Sequence, residues 1–320
     1  TSFKCSPDSF TLEYFKSILE ANKKPYLILE LDEHDSSVGY ETRVEAAVRS
    51  FRNHHAQERR KSHSLTPRLS LPDYRRLEPH CIDDLEGKNV VLPNWDRLTC
   101  ALLGATLERE GYSVYVMEES ETSIKNSLKY NSGQCIPLNA IAEGFIVTMD
   151  NNDLAPADTA LWLNRATLAC NIPLYPYHIQ TLLQSRGYGE ASIYTGNVTF
   201  ADISLRAAQN CYFSYMFGGL LRRVACSIRP YERLAGQTDM ILEDGLALLC
   251  RAFRGELSKE KALDEVITRF QKIPIQRRQR PKVAIFGDLY VRDNRVMNQD
   301  LIRFIEAHGG EVITTPYSEY

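Results

Sequence analysis

Much of the familiar catalytic punctuation is missing from this chain of 320 residues. None of its eight cysteines pairs into a Cys-x-x-Cys, which removes the compact zinc ribbon and the ferredoxin run. There is no G-x-G-x-x-G and no P-loop, so dinucleotide and nucleotide binding have no motif here. G-x-S-x-G and H-E-x-x-H are absent too, which takes away the hydrolase elbow and the zincin helix. Neither charge dominates: 38 Lys and Arg against 41 Asp and Glu leave a net −3, so neither nucleic acid nor a membrane surface is an expected partner. No apolar run approaches the roughly 20 residues that cross a bilayer, and no segment has the pattern of a secretory signal. Eight cysteines in such a length are too sparse for a disulfide scaffold, and a reducing, cytoplasmic setting is expected.

What is present is an α/β alternation long enough for two domains. Residues 1–54 read as the C-terminal part of a preceding α/β unit: a helix over 7–20, a buried strand over 25–32 and a helix over 40–54. Because the chain opens on Thr1, it is expected to be a piece of a longer polypeptide. Residues 55–86 read as a linker, basic and polar, with prolines at 67, 72 and 79. Residues 87–280 read as an α/β domain that carries cysteines and ends in helices near 200–226, 237–255 and 258–272. Its strand–helix–strand start (strands at 88–94 and 112–117, with Gly111 closing the helix) specifies a parallel, Rossmann-like sheet. After the basic hinge QRRQRPK (276–282), residues 281–320 read as the start of a second α/β domain.

The chemistry-bearing candidates are thiols. In NSGQCIPLNAIAEGFI, Cys135 stands two residues before Pro137 and a helical apolar run, and Cys170 stands three before Pro173 and another helix. Each follows a strand and a polar loop. Loops at the carboxyl ends of parallel strands line the ligand crevice, so both are placed near one another. A helix N-terminus favours thiolate, the form that ligates soft metals. Burial as small hydrophobes under turns is the alternative. Cys5, in FKCSPDSF, precedes a third proline-started helix. Cys100, Cys211, Cys226 and Cys250 fall among apolar helical neighbours as core filler, and Cys81 at the linker edge has no assignment. Glu30, Asp32, Glu33, His34 and Asp35 can serve a hard metal or acid–base work, or form a solvated strand end. Tyr175, Tyr177 and His178 either face the Cys170 crevice or pack at a helix start.

Four stretches carry a family resemblance: FKCSPDSF, LILELDEHDSSVGYETRVEA, NSGQCIPLNAIAEGFI and the segment from Pro281 to Tyr320. Together they resemble the dehydratase-like region of large acyl-CoA dehydratase activase proteins. These belong with the 2-hydroxyglutaryl-CoA dehydratase / benzoyl-CoA reductase group and the related double-cubane-cluster proteins. The resemblance implies Rossmann-like domains whose junction loops hold a [4Fe–4S] or larger iron–sulfur cluster. It implies Cys5, Cys135 and Cys170 as cluster- and metal-binding residues. It also implies a component of an ATP-driven dehydratase or reductase system. Such a component works anaerobically in electron transfer to an acyl-CoA or another small reducible substrate. ATP would be bound by a separate activase domain or subunit, since no actin-like phosphate motif stands in these residues. A dimer is the expected assembly. The family pattern around the last thiol is Gly-Pro-Cys-Arg-Phe-Gly, whereas here Cys170 sits in Leu-Ala-Cys-Asn-Ile-Pro. That departure motivates the alternative of a cluster-free docking or regulatory module, with a thiol sensor at Cys135 as a third reading.

Overall fold

The computed structural model describes residues 18–27, 37–61, 79–130, 135–164, 172–197, 199–285 and 289–314. The expected strand end at 28–32, the acidic and histidine group from Glu30 to Asp35, and both Cys5 and Cys170 lie outside them.

Helix α1 spans Ser37–Lys61. It therefore runs past the expected end at 54, and the linker expected over 55–86 begins as helix. His-Ala-Gln-Glu-Arg-Arg-Lys contains no glycine or proline, and straight-chain residues lose little rotamer freedom in a helix. The same stretch also contains strand β1, Cys81–Ile82, too short to show any periodicity.

The main domain is a parallel sheet of β1, β2 (Asn89–Leu92), β3 (Ser113–Val116), β4 (Thr159–Trp162) and β5 (Ser192–Tyr194). Their order is β1-β5-β4-β2-β3, with every pairing parallel. The chain leaves β2 for β3 on one side and returns to place β4 on the other. The sheet therefore has its switch point between β2 and β4, where α/β proteins open a crevice beyond the carboxyl ends of the strands. Strand β4 is buried along its whole length, as a strand covered on both faces must be.

Helix α2, Arg97–Arg109, connects β2 to β3. One side of it sets Cys100, Leu103 and Leu107 in the sheet core. The other sets Leu98, Leu102 and Ala105 against α6 (Leu205–Ile228), α7 (Gln237–Arg254) and α8 (Lys259–Gln271). A helix apolar all round belongs between two layers, and α2 lies there. Gly111, at φ +97°, ends it in a left-handed turn that a side chain would strain. Helix α3 (Glu121–Ser127) interrupts the expected loop over 118–134; Ser120 and Ser123 cap it reciprocally, at 3.0 and 2.8 Å. Helices α4 (Ile136–Asn151) and α5 (Tyr175–Ser185) lead into and out of β4, and both bury their apolar sides in the sheet core.

The second unit comprises β6 (Lys282–Ala284), α9 (Leu289–Asp293), α10 (Leu301–Ala307) and β7 (Glu311–Ile313). Its two strands pair in parallel, and Ile285 and Val312 pack on Cys226 of α6. The basic hinge is pinned: Arg277 and Arg280 lie 4.8 and 5.7 Å from the Tyr231 ring centroid. Among the described residues no helix is long and apolar enough to cross a membrane.

Helices α2 and α6 touch backbone to backbone at Gly218. A Cβ there would come within 2.9 Å of the Thr99 Cα and amide nitrogen, which cannot swing away. Gly218→Ala therefore lowers stability by about 1–3 kcal/mol despite the better helix propensity of alanine. Urea unfolding with an unchanged or raised midpoint would show that the two helices are not so closely apposed.

Candidate functional site

Strands β2, β3 and β4 deliver their carboxyl ends to one edge of the sheet, and the residues that follow them build the site. Cys135 stands at the N-cap of α4 in extended backbone, with Pro137 fixing the first turn. Its side chain is half-buried. The Tyr175 hydroxyl, from the first turn of α5, donates to the Cys135 sulfur at 3.1 Å. One helical turn further along α4, Asn139 is 1% exposed, and its Oδ1 is 3.2 Å from His178 Nε2 of α5. The Asn139 amide nitrogen has no hydrogen-bond partner among the described residues. Cys135 and Asn139 at the start of α4 and Tyr175 and His178 on α5 thus form a polar seam, which continues one turn further along α4 to the ion pair of buried Glu143 with Arg186 at the end of α5. Tyr177 points away and is exposed.

The edge continues into a cleft of about 690 Å³, within the size range of small-molecule sites. Its walls include Leu98 and Ala101 of α2 and Leu242 of α7; Ile302 of the second unit closes it. Its polar end is formed by Asn94 after β2, Glu119 after β3, and Asn294 after α9. Tyr290 of α9 donates to the Glu119 carboxylate, and the Asn294 amide donates to the Asn94 carbonyl at 2.7 Å. Burial pushes the Glu119 carboxyl above the ordinary range, against hydrogen bonds from Tyr290, Asn294 and Asn94 that lower it. Burial also drives the Tyr290 phenol well up, with Glu119, Cys100 and Tyr175 as further acidic neighbours. Tyr290 therefore lies between the cleft carboxyl and the phenol that serves Cys135.

Beneath the cleft, Arg222 is sandwiched between carboxylates, its guanidinium 3.2 Å from Asp96 and 2.9 Å from Asp293. All three side chains are at most 7% exposed. Thr99 donates to Asp96, and Arg292 reaches Asp293 at 2.8 Å.

The core cysteines behave as expected. Cys100, Cys211, Cys226 and Cys250 are buried, while Cys81 is exposed on the edge strand. Burial pushes the Cys211 thiol up to about 12 and those of Cys226 and Cys250 up to about 11; it drives Cys100 well up, helped by Asp96. Burial thus favours the neutral thiol at all four. Among the described residues no group of three or more His, Cys, Asp or Glu is arranged to hold a metal ion. The described chain contributes one crevice thiol, Cys135, and the other two residues of the expected trio lie outside it. The sequence left Tyr175, Tyr177 and His178 open between facing the crevice and packing at a helix start; Tyr175 and His178 join the seam and Tyr177 is exposed. Asn139, Glu119, Tyr290 and Arg222 were not among the expected residues. The signal for Glu119 was available: an acidic pair directly after β3, at the carboxyl edge of the sheet. Comparison of the chain with protein-family models, curated proteins and solved structures finds no match.

Glu119 gives the cleft a pH signature. With its folded-state pKa above the unfolded value, its contribution to stability is complete at low pH and is lost as pH rises through the raised pKa. Glu119→Gln removes that loss, so the wild type weakens relative to the variant between about pH 5 and about pH 8. Urea midpoints that differ by the same amount at both pH values would overturn the raised pKa.

Proposed function

We propose that this chain is an iron–sulfur redox component related in design to 2-hydroxyacyl-CoA dehydratase and reductase subunits. Cys135 would hold the cluster together with Cys5 and Cys170. The observation that carries this reading is the placement of Cys135, a half-buried thiol at a helix entrance on the carboxyl edge of the sheet. It accepts a phenolic hydrogen bond and stands next to a seam with a spare amide donor. Among the described residues Cys135 is the one crevice thiol, and its chemistry suits the group. Soft thiolate suits iron–sulfur chemistry, and hydrogen bonds to the sulfur are how proteins set the potential of such a cluster. When bound, the cluster would supply a low-potential electron. The chain's own residues supply the surroundings. Leu98, Ala101 and Leu242 give the cleft apolar lining, and Glu119, its carboxyl raised by burial, stands at the other side.

An acyl-CoA or another small reducible molecule is the substrate class this arrangement would serve. An ATP-dependent activase domain or subunit would be the electron source, in an anaerobic cytoplasm. A dimer belongs to the same proposal.

The test is anaerobic purification with iron and sulfide analysis, absorption and EPR spectra. About four irons per chain are expected for a single cubane. Cys135→Ser loses them, and Cys250→Ala, at a buried core thiol, keeps them. Folded protein without iron under these conditions overturns the proposal and leaves a cluster-free docking module as the reading.

A further inference from the structure

Arginine in this fold is usually tied to a carboxylate. Arg97 is paired with Glu243, Arg206 with Glu110, Arg254 with Glu108, Arg269 with Glu265 and Arg295 with Asp300. The strap QRRQRPK (276–282), between α8 and β6, departs from this. It carries four cations and no acid. Among the described residues no ion pair reaches Arg277, Arg278, Arg280 or Lys282. Carboxylates on the adjoining segments are committed to other donors. Glu311 accepts the Tyr231 hydroxyl at 2.6 Å, and Glu232 accepts the amides of Gly236 and Thr238, both at 2.7 Å.

The strap is also held in shape. Its start lies antiparallel to the turn after α6: the Gln276 amide donates to the Tyr231 carbonyl at 2.7 Å, and the Arg233 amide donates to the Pro274 carbonyl at 2.9 Å. At its end the Glu311 amide donates to the Pro281 carbonyl at 2.9 Å. The buried Tyr231 ring carries the guanidiniums of both Arg277 and Arg280. Stacking on a ring fixes the plane of a guanidinium and leaves its N–H edge to an acceptor. The acceptors present are neutral and distant: Arg277 reaches the Ser227 carbonyl and Arg278 the Gln276 side chain, each at 3.4 Å. Arg277 and Arg278 are exposed, and Arg280 is half-buried. Cations crowded on one fixed segment repel one another, and planar forks in that number suit closely spaced phosphate oxygens.

We infer that the strap over Tyr231 is a binding site for a soluble oligophosphate, a small molecule with several phosphate charges. Arg277 and Arg280 hold it from the two positions that the ring fixes, and Arg278 adds a third fork between them. The Tyr231 ring is already covered by guanidiniums, so it has no face to offer a nucleic-acid base. The net charge of −3 on the chain opposes a long polyanion, which favours a compact one. Tyr231 bonds to Glu311 of β7, so the occupant sits where the second unit joins the helical layer.

The experiment is isothermal titration of the full chain with sodium tripolyphosphate at low ionic strength. A saturable single site is expected, weakening as salt is added, with orthophosphate at least about tenfold weaker. The double variant Arg277→Gln, Arg280→Gln loses at least about tenfold in affinity, because charge-assisted hydrogen bonds go with the two forks. Arg251→Gln, at an exposed arginine already paired with Glu256, keeps wild-type affinity. No saturable binding at millimolar tripolyphosphate, or wild-type affinity in the double variant, overturns the inference. So does an equal loss in Arg251→Gln, or a single-stranded oligonucleotide that binds the chain and is not displaced by tripolyphosphate. Circular dichroism checks folding. If the double variant is unfolded, Arg278→Gln, whose hydrogen bond is to Gln276, takes its place: weakened binding supports the site and wild-type affinity overturns it.

Discussion

A buried guanidinium sits where the two units of this protein meet. Arg222, from the middle of α6, reaches Asp96 at the start of α2 and Asp293 at the end of α9. Asp96 belongs to the sheet domain and Asp293 to the second unit. Both carboxylates are almost wholly out of water, as is the arginine between them. Such a cluster is a poor source of net stability, because desolvation consumes most of the attraction. Its asymmetry matters more. Removing one member leaves a buried charge without compensation and costs about 3–5 kcal/mol. The arrangement therefore works as a register, allowing one docking geometry and penalising others.

The cleft follows from that geometry. With Asp293 fixed over the carboxyl edge of β2 and β3, Tyr290 is carried into the sheet core and Asn294 is brought to the Asn94 carbonyl. Glu119 is thereby half-covered, and the covering raises its proton affinity. A second ionic group on the outer side, Arg229 with Asp239 and Glu306, repeats the linkage between α6, α7 and α10. The sheet supplies an open edge, as every parallel α/β sheet does, and charges from the helical layer decide how it is roofed.

The parts legible in the sequence were those governed by local rules. Apolar runs specified β2, β3 and β4, and glycines at 111 and 187 stopped their helices because a left-handed turn favours glycine there. Helices α6, α7 and α8 showed their spacing plainly. The misses share another cause. Strand β1 is two residues long and exists only because β5 offers it a parallel edge. Helix α9 spans five residues and owes its position to tertiary contacts around Tyr290 and Arg292. Helix α3 had a local signal, the paired serines at 120 and 123, but no apolar stripe to announce it. Within the site, Cys135 was legible because a turn, a proline and a helix coincide around it. Arg222 was not, because an arginine in a helical pattern reads as surface until its two carboxylates are placed by the fold.

The same reasoning separates one cysteine from its neighbours. Cys100, Cys211, Cys226 and Cys250 sit where helices meet other elements, in surroundings that hold the proton on sulfur. Their environment is what a small hydrophobe needs and what a ligand cannot use. Cys135 differs in each respect. It is partly open, it begins a helix, and a phenol donates to its sulfur. A core position selects for fit, so a serine or alanine would be a modest change of volume. The Cys135 sulfur is therefore open to a partner in a way that the buried core thiols are not.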